Sequence, residues 1–559
     1  MKLNKYIYML MTGAIVLGNS ACVDVNDWDV DSSYDRLFSP NGIKVSADAT
    51  TAEVSWDLSP NTNYYIIEVN STDSLYGQTE EPRANSIVYG SDKSITTSPV
   101  TIEELNSNTK YFIRVRACSE TQGNSHWNYM TNFSFKTKSE NILNAVDNSQ
   151  KGEDYITLTW SPGLAVTHIE YAEIIGTDEN NNSILDEVKT IELTAEQITA
   201  GEVTVENLKA STSYQFTIYN NSTVRGTRAV TTSLKAPDGN LKVQIPAGST
   251  LTQAMLDSWA QEGSVTVIFD AATEFTLQGV DPTTGDAAGL TIPDNLSITF
   301  FGNNGTSKSV LNMTKEIIMG GKHSYIRFEN VIIKDAGALY LFNQGNDATV
   351  AELSFKDSEF IDFSRNIVRL KDQKSITISL LSFENCIITN QGTGGYPCIG
   401  MDAKEYTVTK MVFTNTIFNT LSHNVIALNN NSRGCATVNN IDFNNCTFYN
   451  SVGSTRYLVD AGSTSQGPTV TFNNSILAKS FGATFSNGAW TSTSRGVRSK
   501  TVVVNNSYMT ADGIFSSNAI KGCIDYSGTS DDLFTAPANG DFTVKDNSFP
   551  EGVGASVAQ

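Results

Sequence analysis

The sequence predicts an all-β chain, two β-sandwiches followed by a right-handed parallel β-helix, and two internal repeats within its 559 residues carry that reading. The first repeat runs through the second half: Phe328-Glu329-Asn330, Phe355-Lys356-Asp357, Phe383-Glu384-Asn385, Phe413-Thr414-Asn415, Phe443-Asn444-Asn445 and Phe472-Asn473-Asn474, with spacings of 27 to 30 residues. Three residues beyond each Asn or Asp stands another apolar residue: Ile333, Phe360, Ile388, Phe418, Phe448 and Leu477. A fixed period of this length marks a solenoid, whose repeats bury their apolar faces by stacking on one another. The period-two alternation and the supply of β-branched residues, Phe and Asn make the unit one of strands. Stacked coil on coil, it yields an aromatic ladder inside and an amide ladder at the turn. Parallel crossovers make it right-handed. The second repeat is a duplication in the first half. Trp56 precedes Tyr111 by 55 residues and Trp160 precedes Tyr214 by 54, with Leu105 and Leu208 each six residues before the Tyr.

Residues 1–22 combine Lys2 and Lys5, the apolar run Tyr6 to Leu17, and Asn19-Ser20-Ala21-Cys22. This is a secretory signal, too short and wrongly flanked for a membrane span. Cys22 after small residues resembles a bacterial lipobox, in which cleavage exposes the Cys for lipidation. Asn19 departs from the usual Leu, and an ordinary cut after Ala21 is the alternative. The tether over 23–37 carries Asp24, Asp27, Asp29 and Asp31. That run resembles the surface-export signal of Bacteroidota-type lipoproteins; its other reading is a solvated spacer. With no second run long enough to span a bilayer, the expected address is the outer membrane, facing outward, held through Cys22 alone.

Residues 38–137 and 138–235 are the two sandwiches. Each sets an inward Trp on an early strand (Val54-Ser55-Trp56, Leu158-Thr159-Trp160) and a Tyr at the head of an alternating strand (Tyr111 to Ala117, Tyr214 to Tyr219). A Tyr so placed is the tyrosine corner of immunoglobulin-like sandwiches. With its Leu six residues earlier, the pattern resembles fibronectin type III domains over 38–232. Such modules bind through their loops or serve as spacers. Spacing is the preferred reading, because aromatics are sparse in the turns outside His126-Trp127 and Tyr129.

The β-helix domain, 236–559, is expected to start near Val265-Thr266-Val267-Ile268-Phe269, behind a helical cap from Leu251 to Gln261. A cap is needed because an open coil exposes unpaired strands. Phe300 extends the register backward and Val504-Asn505-Asn506 forward. The run Asp532-Leu533-Phe534, Pro537 and Asn539 to Val544 resembles the C-terminal capping segment of pectate-lyase-like β-helices. The whole resembles that superfamily, and more closely uncharacterised lipoproteins from glycan-utilisation loci that join fibronectin modules to such a helix. The resemblance implies a groove for polysaccharide and, as partners, other surface proteins of glycan uptake.

The net charge is −21; residues 1–236 hold 17 Lys/Arg against 30 Asp/Glu, and 237–559 hold 21 against 29. Phosphate neutralisation needs a basic surface, so a nucleic-acid partner is disfavoured. Beyond Cys22 there are Cys118, Cys386, Cys398, Cys435, Cys446 and Cys523. Cys386 and Cys446 fill one motif position two coils apart, roughly twice the ~4.8 Å strand spacing and too far for a disulfide. They read as small buried hydrophobes. No CxxC or Cys–His spacing points to zinc. No cofactor is expected, calcium entering only for a lyase.

Three chemistries compete for the β-helix. A polysaccharide lyase acting on uronate by β-elimination needs a base and a cation against the carboxylate; in this superfamily the base is usually Lys or Arg. Its candidates are Arg327, Arg365, Arg369 and Lys371, of which Arg365 and Arg369 read alternatively as surface ion pairs with Asp362 and Asp372. His323 and His423 read as turn or surface residues. A glycan binder needs aromatic platforms and polar side chains along a groove. Tyr396 in the Gly392-Thr393-Gly394-Gly395-Tyr396 insertion, Tyr406, Tyr457 and Trp490 fall in expected loops, beside Asn429-Asn430-Asn431. A glycoside hydrolase needs two facing carboxylates, drawn from Glu329, Glu384, Asp442 and Asp460. The expectation is a surface lipoprotein that binds a complex polysaccharide without cleaving it. The lyase comes second, and a glycoside hydrolase or an adhesin follows.

Overall fold

A computed structural model describes residues 35–557, apart from 78–79, 271–272, 305–306, 431, 464 and 466. The leader, Cys22, its acidic run and Asn431 therefore lie outside the described residues. Among these, no helix is long and apolar enough to cross a membrane.

The first sandwich sets the sheet of Asn41–Ala47, Ala52–Asp57 and Val100–Ile102 against that of Tyr64–Asn70, Ile87–Tyr89, Lys110–Cys118 and Asn128–Lys136. Trp56, Leu105 and Tyr111 are buried between them. The Tyr111 hydroxyl accepts from the Asn106 N–H at 2.9 Å, and in the second sandwich Tyr214 accepts from the Lys209 N–H at 3.0 Å. The duplication thus ends in the same tyrosine corner twice. The aromatic group after Cys118 is packing rather than a platform. Trp127 is 8% exposed, donates to the Glu80 carbonyl at 3.1 Å, and lies beneath Arg114.

The second half winds three parallel sheets, of 10, 11 and 8 strands. The Phe of each motif closes a first-sheet strand and points inward. From Phe300 through Phe328, Phe355, Phe383, Phe413 and Phe443 to Phe472, successive ring centroids lie 4.5 to 5.5 Å apart. Offset pairs at this range contribute roughly 0.5–1.5 kcal/mol each beyond area burial. The Asn or Asp then turns the chain into the second sheet with positive φ: 56° at Asn330, 50° at Asp357, 53° at Asn385 and 49° at Asn415. Asn and Asp tolerate this left-handed region better than other non-glycine residues. Their side chains form the amide ladder, Asn415 Nδ2 donating to Asn385 Oδ1 and Asn385 Nδ2 to Asp357 Oδ1, both at 2.8 Å.

The next residue, Ser358, Cys386, Thr416, Cys446 or Ser475, donates its side chain to the Phe carbonyl one coil back and to the carbonyl two residues earlier. Cys386 and Cys446 are therefore hydrogen-bonded thiols as well as buried ones, and burial pushes each up to about 12. The six described cysteines are free.

Both ends differ from expectation. Leu241–Ile245 already pairs with Ser264–Phe269, so the solenoid begins one coil earlier. The helix is only Gln253–Ser258 and occupies the third-sheet position of that first coil, Gln253 bonding both backbone groups of Thr291 at 2.8 and 2.7 Å. At the far end, Ile520, Phe515 and Cys523 cover the last coil. The closing run lies instead along the side of the second sheet, where Leu533, Phe534, Phe542 and Phe549 cover outward Ile417, Tyr449 and Ile476. The tail also interrupts the amide ladder: the Ser556 N–H donates to Asn415 Oδ1 and Asn445 Nδ2 to the Gly552 carbonyl, each at 2.6 Å.

Candidate functional site

The third sheet is built of short strands, among them Phe342–Gln344, Val368–Leu370, Ile399–Met401, Ile426–Ala427, Tyr457–Asp460 and Arg495–Arg498. One residue of each strand forms an outward row in register: Asn343, Arg369, Gly400, Ala427, Asp460 and Arg498. The buried row beside it, Phe342, Val368, Ile399, Ile426, Val459 and Val497, holds that orientation. The loops entering these strands from the second sheet supply Tyr340, Arg365, Tyr396, His423 and Arg456 along one margin of the row.

At one end Arg365 Nη1 donates to the Tyr340 hydroxyl at 2.7 Å, and Arg369 Nη1 reaches the same oxygen at 3.2 Å. The two guanidinium carbons lie 4.8 and 5.8 Å from the Tyr396 ring centroid, and Tyr396 meets Tyr340 edge to face at 6.2 Å. Gln391, 1% exposed, pins the loop by donating to the Arg365 carbonyl and, at 3.4 Å, to that of Tyr396. At the other end Arg495 and Arg498 lie 5.2 and 4.6 Å over Tyr457, with Arg498 forked to Asp460 by two bonds of 2.7 Å. The floor between is Gly400 and Ala427. A Cβ at 400 would come within 2.5 Å of Asn366 Nδ2, so the floor stays low.

Three of the positive-φ residues that are neither Gly, Asn nor Asp lie in the same loops, others such as Leu75, Lys93 and Ser211 lying in the sandwiches. Leu339, Val452 and Thr455 have φ of 68°, 68° and 60°. A β-branched residue there is an outlier, and such outliers concentrate at functional sites. His423 sits mid-way along the margin, where burial, reinforced by Arg456, pulls its imidazole down to about 4.

The expected basic group divides. Arg365 and Arg369 belong to this face. Arg327 does not: it lies on the first sheet, 4.2 Å over Tyr325, and is forked to Glu352 at 2.8 and 2.7 Å. Lys371 pairs with Asp372 at 3.3 Å, while Asp362 accepts from Asn390, so neither acid neutralises Arg365 or Arg369 as the ion-pair reading expected. Tyr396 lies in the expected loop. Tyr457 instead opens a third-sheet strand. Tyr406 is fully buried in a first-sheet strand, its hydroxyl accepting from the Gln373 N–H at 3.0 Å. His323 is likewise buried, with Nδ1 2.7 Å from the Leu296 carbonyl, because its strand turns that position inward. Trp490 stands on the hairpin Thr484–Ser486/Ala489–Thr491, 5.4 Å from Phe485, which is 60% exposed. The hairpin stem bonds the Arg456 loop through Thr493 and Ser454 at 2.9 Å, so Trp490 adjoins the Arg495 end.

The expected acids are mostly engaged: Glu384 with Lys356 at 4.0 Å, Asp442 with Lys410 at 3.2 Å, and Asp460 with Arg498. Glu329 is raised by burial. Glu329, Glu384 and Asp442 are on the first sheet and Asp460 on the third, so Asp460 does not face the others. Among the described residues no group of three His, Cys, Asp or Glu side chains is placed to hold a metal ion.

A family model for the fibronectin type III domain matches residues 38–133, and one for a domain of unknown function, DUF5123, matches residues 441–555. No curated protein matches the chain. Among solved structures it is similar to a two-domain fibronectin type III segment of chicken tenascin, with 14% identity over 34% of this chain and 97% of that one and a TM-score of 0.18. It is also similar to the FN1–FN3 domains of chicken CNTN1, with 13% identity over 35% of this chain and 67% of that one and a TM-score of 0.14. Likenesses at those TM-scores carry nothing further. Fold and family match together define the class, an all-β chain with a fibronectin type III domain at its N-terminal side and a parallel β-helix behind.

Proposed function

We propose that this chain is a surface protein that binds a complex polysaccharide along the third sheet of its β-helix and does not cleave it. The carrying observation is the strip that runs from Arg365, Arg369 and Tyr396, braced by the buried Tyr340, across the low floor of Gly400 and Ala427 to Tyr457 and Arg495. Sugar rings offer apolar faces to aromatic side chains and hydroxyls to charged donors, and this row supplies both over several coils. Trp490 extends it at one end. The sandwiches act as spacers, and lipidation of Cys22 holds the chain on the outer membrane facing outward, alongside other proteins of glycan uptake. Cys22→Ala then releases the protein from membranes; retention would sink the anchor.

Binding is favoured over elimination by the chemistry of the arginines. A base must give up its proton readily. Arg327 is clamped by Glu352, and the Tyr340 hydroxyl raises Arg365 above the ordinary guanidinium value. The test is affinity electrophoresis of the full chain against plant and host polysaccharides, read beside ultraviolet absorbance for unsaturated uronate ends and an assay for reducing ends. Retardation with neither product supports the reading. New absorbance makes the chain a lyase, new reducing ends alone a hydrolase, and no retardation on any polymer removes the function.

A further inference from the structure

Two guanidinium groups converge on one neutral oxygen at the Tyr340 hydroxyl, at 2.7 and 3.2 Å. Like charges this close repel unless an anion bridges them. Elsewhere most arginines meet a carboxylate, as Arg114 does with Glu68, Arg225 with Glu140, Arg327 with Glu352 and Arg498 with Asp460, while Arg83 and Arg228 in the sandwiches bond single backbone carbonyls instead. Among the described residues, Arg365 and Arg369 have no carboxylate within 4.0 Å, and neither do Arg456 and Arg495 farther along the same face. In a chain of net charge −21 a carboxylate partner is easy to supply, so four unneutralised arginines on one face are a selective feature.

They also fall in line. Arg365 and Arg456 stand in the loop margin of the first and fourth of five successive coils, with Tyr396 and His423 between them, and Arg495 opens the strand of the fifth, opposite Tyr457 in register and with its N–H on the Arg456 carbonyl. Four strand spacings of ~4.8 Å make this row about 19 Å long. The neutral imidazole of His423 and the small floor leave its middle uncharged, so the positive charge stands at the two ends.

We infer that the ligand of this face is a polyanionic glycan, one anionic sugar group lying between Arg365 and Arg369 and another at Arg456 and Arg495. This rests on the polysaccharide reading above and adds Arg456 and Arg495 to the site. Guanidinium groups hold planar carboxylates by paired hydrogen bonds and take sulfate oxygens in the same way. Tyr396 and Tyr457 set the guanidinium planes and leave their edges to the ligand.

The test measures retention of the full chain in gels containing polygalacturonate, dextran sulfate, carboxyl-reduced polygalacturonate or neutral dextran, each at low and high salt. The expected result is retention by polygalacturonate or dextran sulfate, the stronger of the two naming the anion, with marked weakening at high salt and none of it on the neutral polymers. Arg365→Gln with Arg369→Gln weakens retention about tenfold or more, since two charge-assisted contacts are lost. Arg327→Gln leaves retention unchanged. Equal, salt-insensitive retention by carboxyl-reduced polymer or dextran would overturn the anionic ligand and leave glycan binding standing. Acidic-polymer retention indifferent to the double substitution would overturn the site.

Discussion

In the first sandwich Arg114 and Arg116 lie 4.4 and 4.6 Å over Trp127, while on the third sheet of the β-helix Arg365 and Arg369 lie 4.8 and 5.8 Å from the Tyr396 ring centroid. The local geometry is nearly the same. The surroundings are not. Arg114 meets Glu68 at 2.6 Å with both side chains fully buried, and Glu68 takes further bonds from the Arg83 N–H and the Ser86 hydroxyl at 2.7 and 2.6 Å. Arg365 and Arg369 share a phenol and reach the surface. A cation over an aromatic ring is therefore no mark of a site in itself. What separates the two is whether the charge is already balanced, and only the third-sheet pair has that capacity left to offer.

The largest effect should come from unbalancing the closed pair. Glu68→Gln leaves the Arg114 charge buried without its counter-charge and should destabilise the first sandwich by about 3–5 kcal/mol. Denaturant unfolding of the full chain reads it, with the sandwich and β-helix transitions resolved separately. A loss below ~1 kcal/mol would place Glu68 among exposed pairs instead. Phe413→Ala, in the ladder that positions the open pair, should cost the β-helix a similar ~3–5 kcal/mol. A much smaller loss would mean that the ladder register is wrong.

Smaller and pH-dependent is the contribution of His423. Its imidazole is held near 4 in the fold against an ordinary value of 6.5, so the unfolded chain binds the extra proton first. Stability is then full above about pH 6.5 and falls as the pH drops toward 4, by at most about 3 kcal/mol. His423→Gln should flatten the β-helix transition over that window; an unaltered pH profile would show that the ring is solvated. Arg365→Gln and Arg369→Gln should each shift stability by under about 0.5 kcal/mol, as surface changes do, so that any loss of binding is read cleanly. Trp490→Ala should leave the melting temperature unmoved and weaken binding to the retained polymer; unchanged binding removes the hairpin from the site.

The parts of the fold that repeat a motif were legible in the sequence. Phe328 to Phe472 stack and Asn330 to Asn474 turn the chain with positive φ, because each coil imposes the same steric demand on the same position. The third sheet was not legible as such. Its strands run to only two to four residues and carry no signature. Arg327, Arg365, Arg369 and Lys371 were therefore grouped by nearness in sequence, although Arg327 and Arg369 lie on different sheets. Tyr340, missed altogether, was within reach: Tyr340 to Arg365 is 25 residues, Asn343 to Arg369 is 26 and Arg369 to Tyr396 is 27, each close to one coil. Arg495 was hidden because the 484–491 hairpin lengthens its coil. His323 and Tyr406 were misplaced for the converse reason, since their first-sheet strands start several residues earlier than the motif alone indicates.

The most direct measurement is hydrogen–deuterium exchange of the full chain with and without the polysaccharide that retards it. The account predicts protection confined to residues 336–343, 362–369, 392–400, 423–427, 453–460 and 484–498, with the sandwich segments 41–136 unchanged. Protection on the first sheet around Arg327 and Glu352, or in the sandwich loops around Trp127, would contradict it.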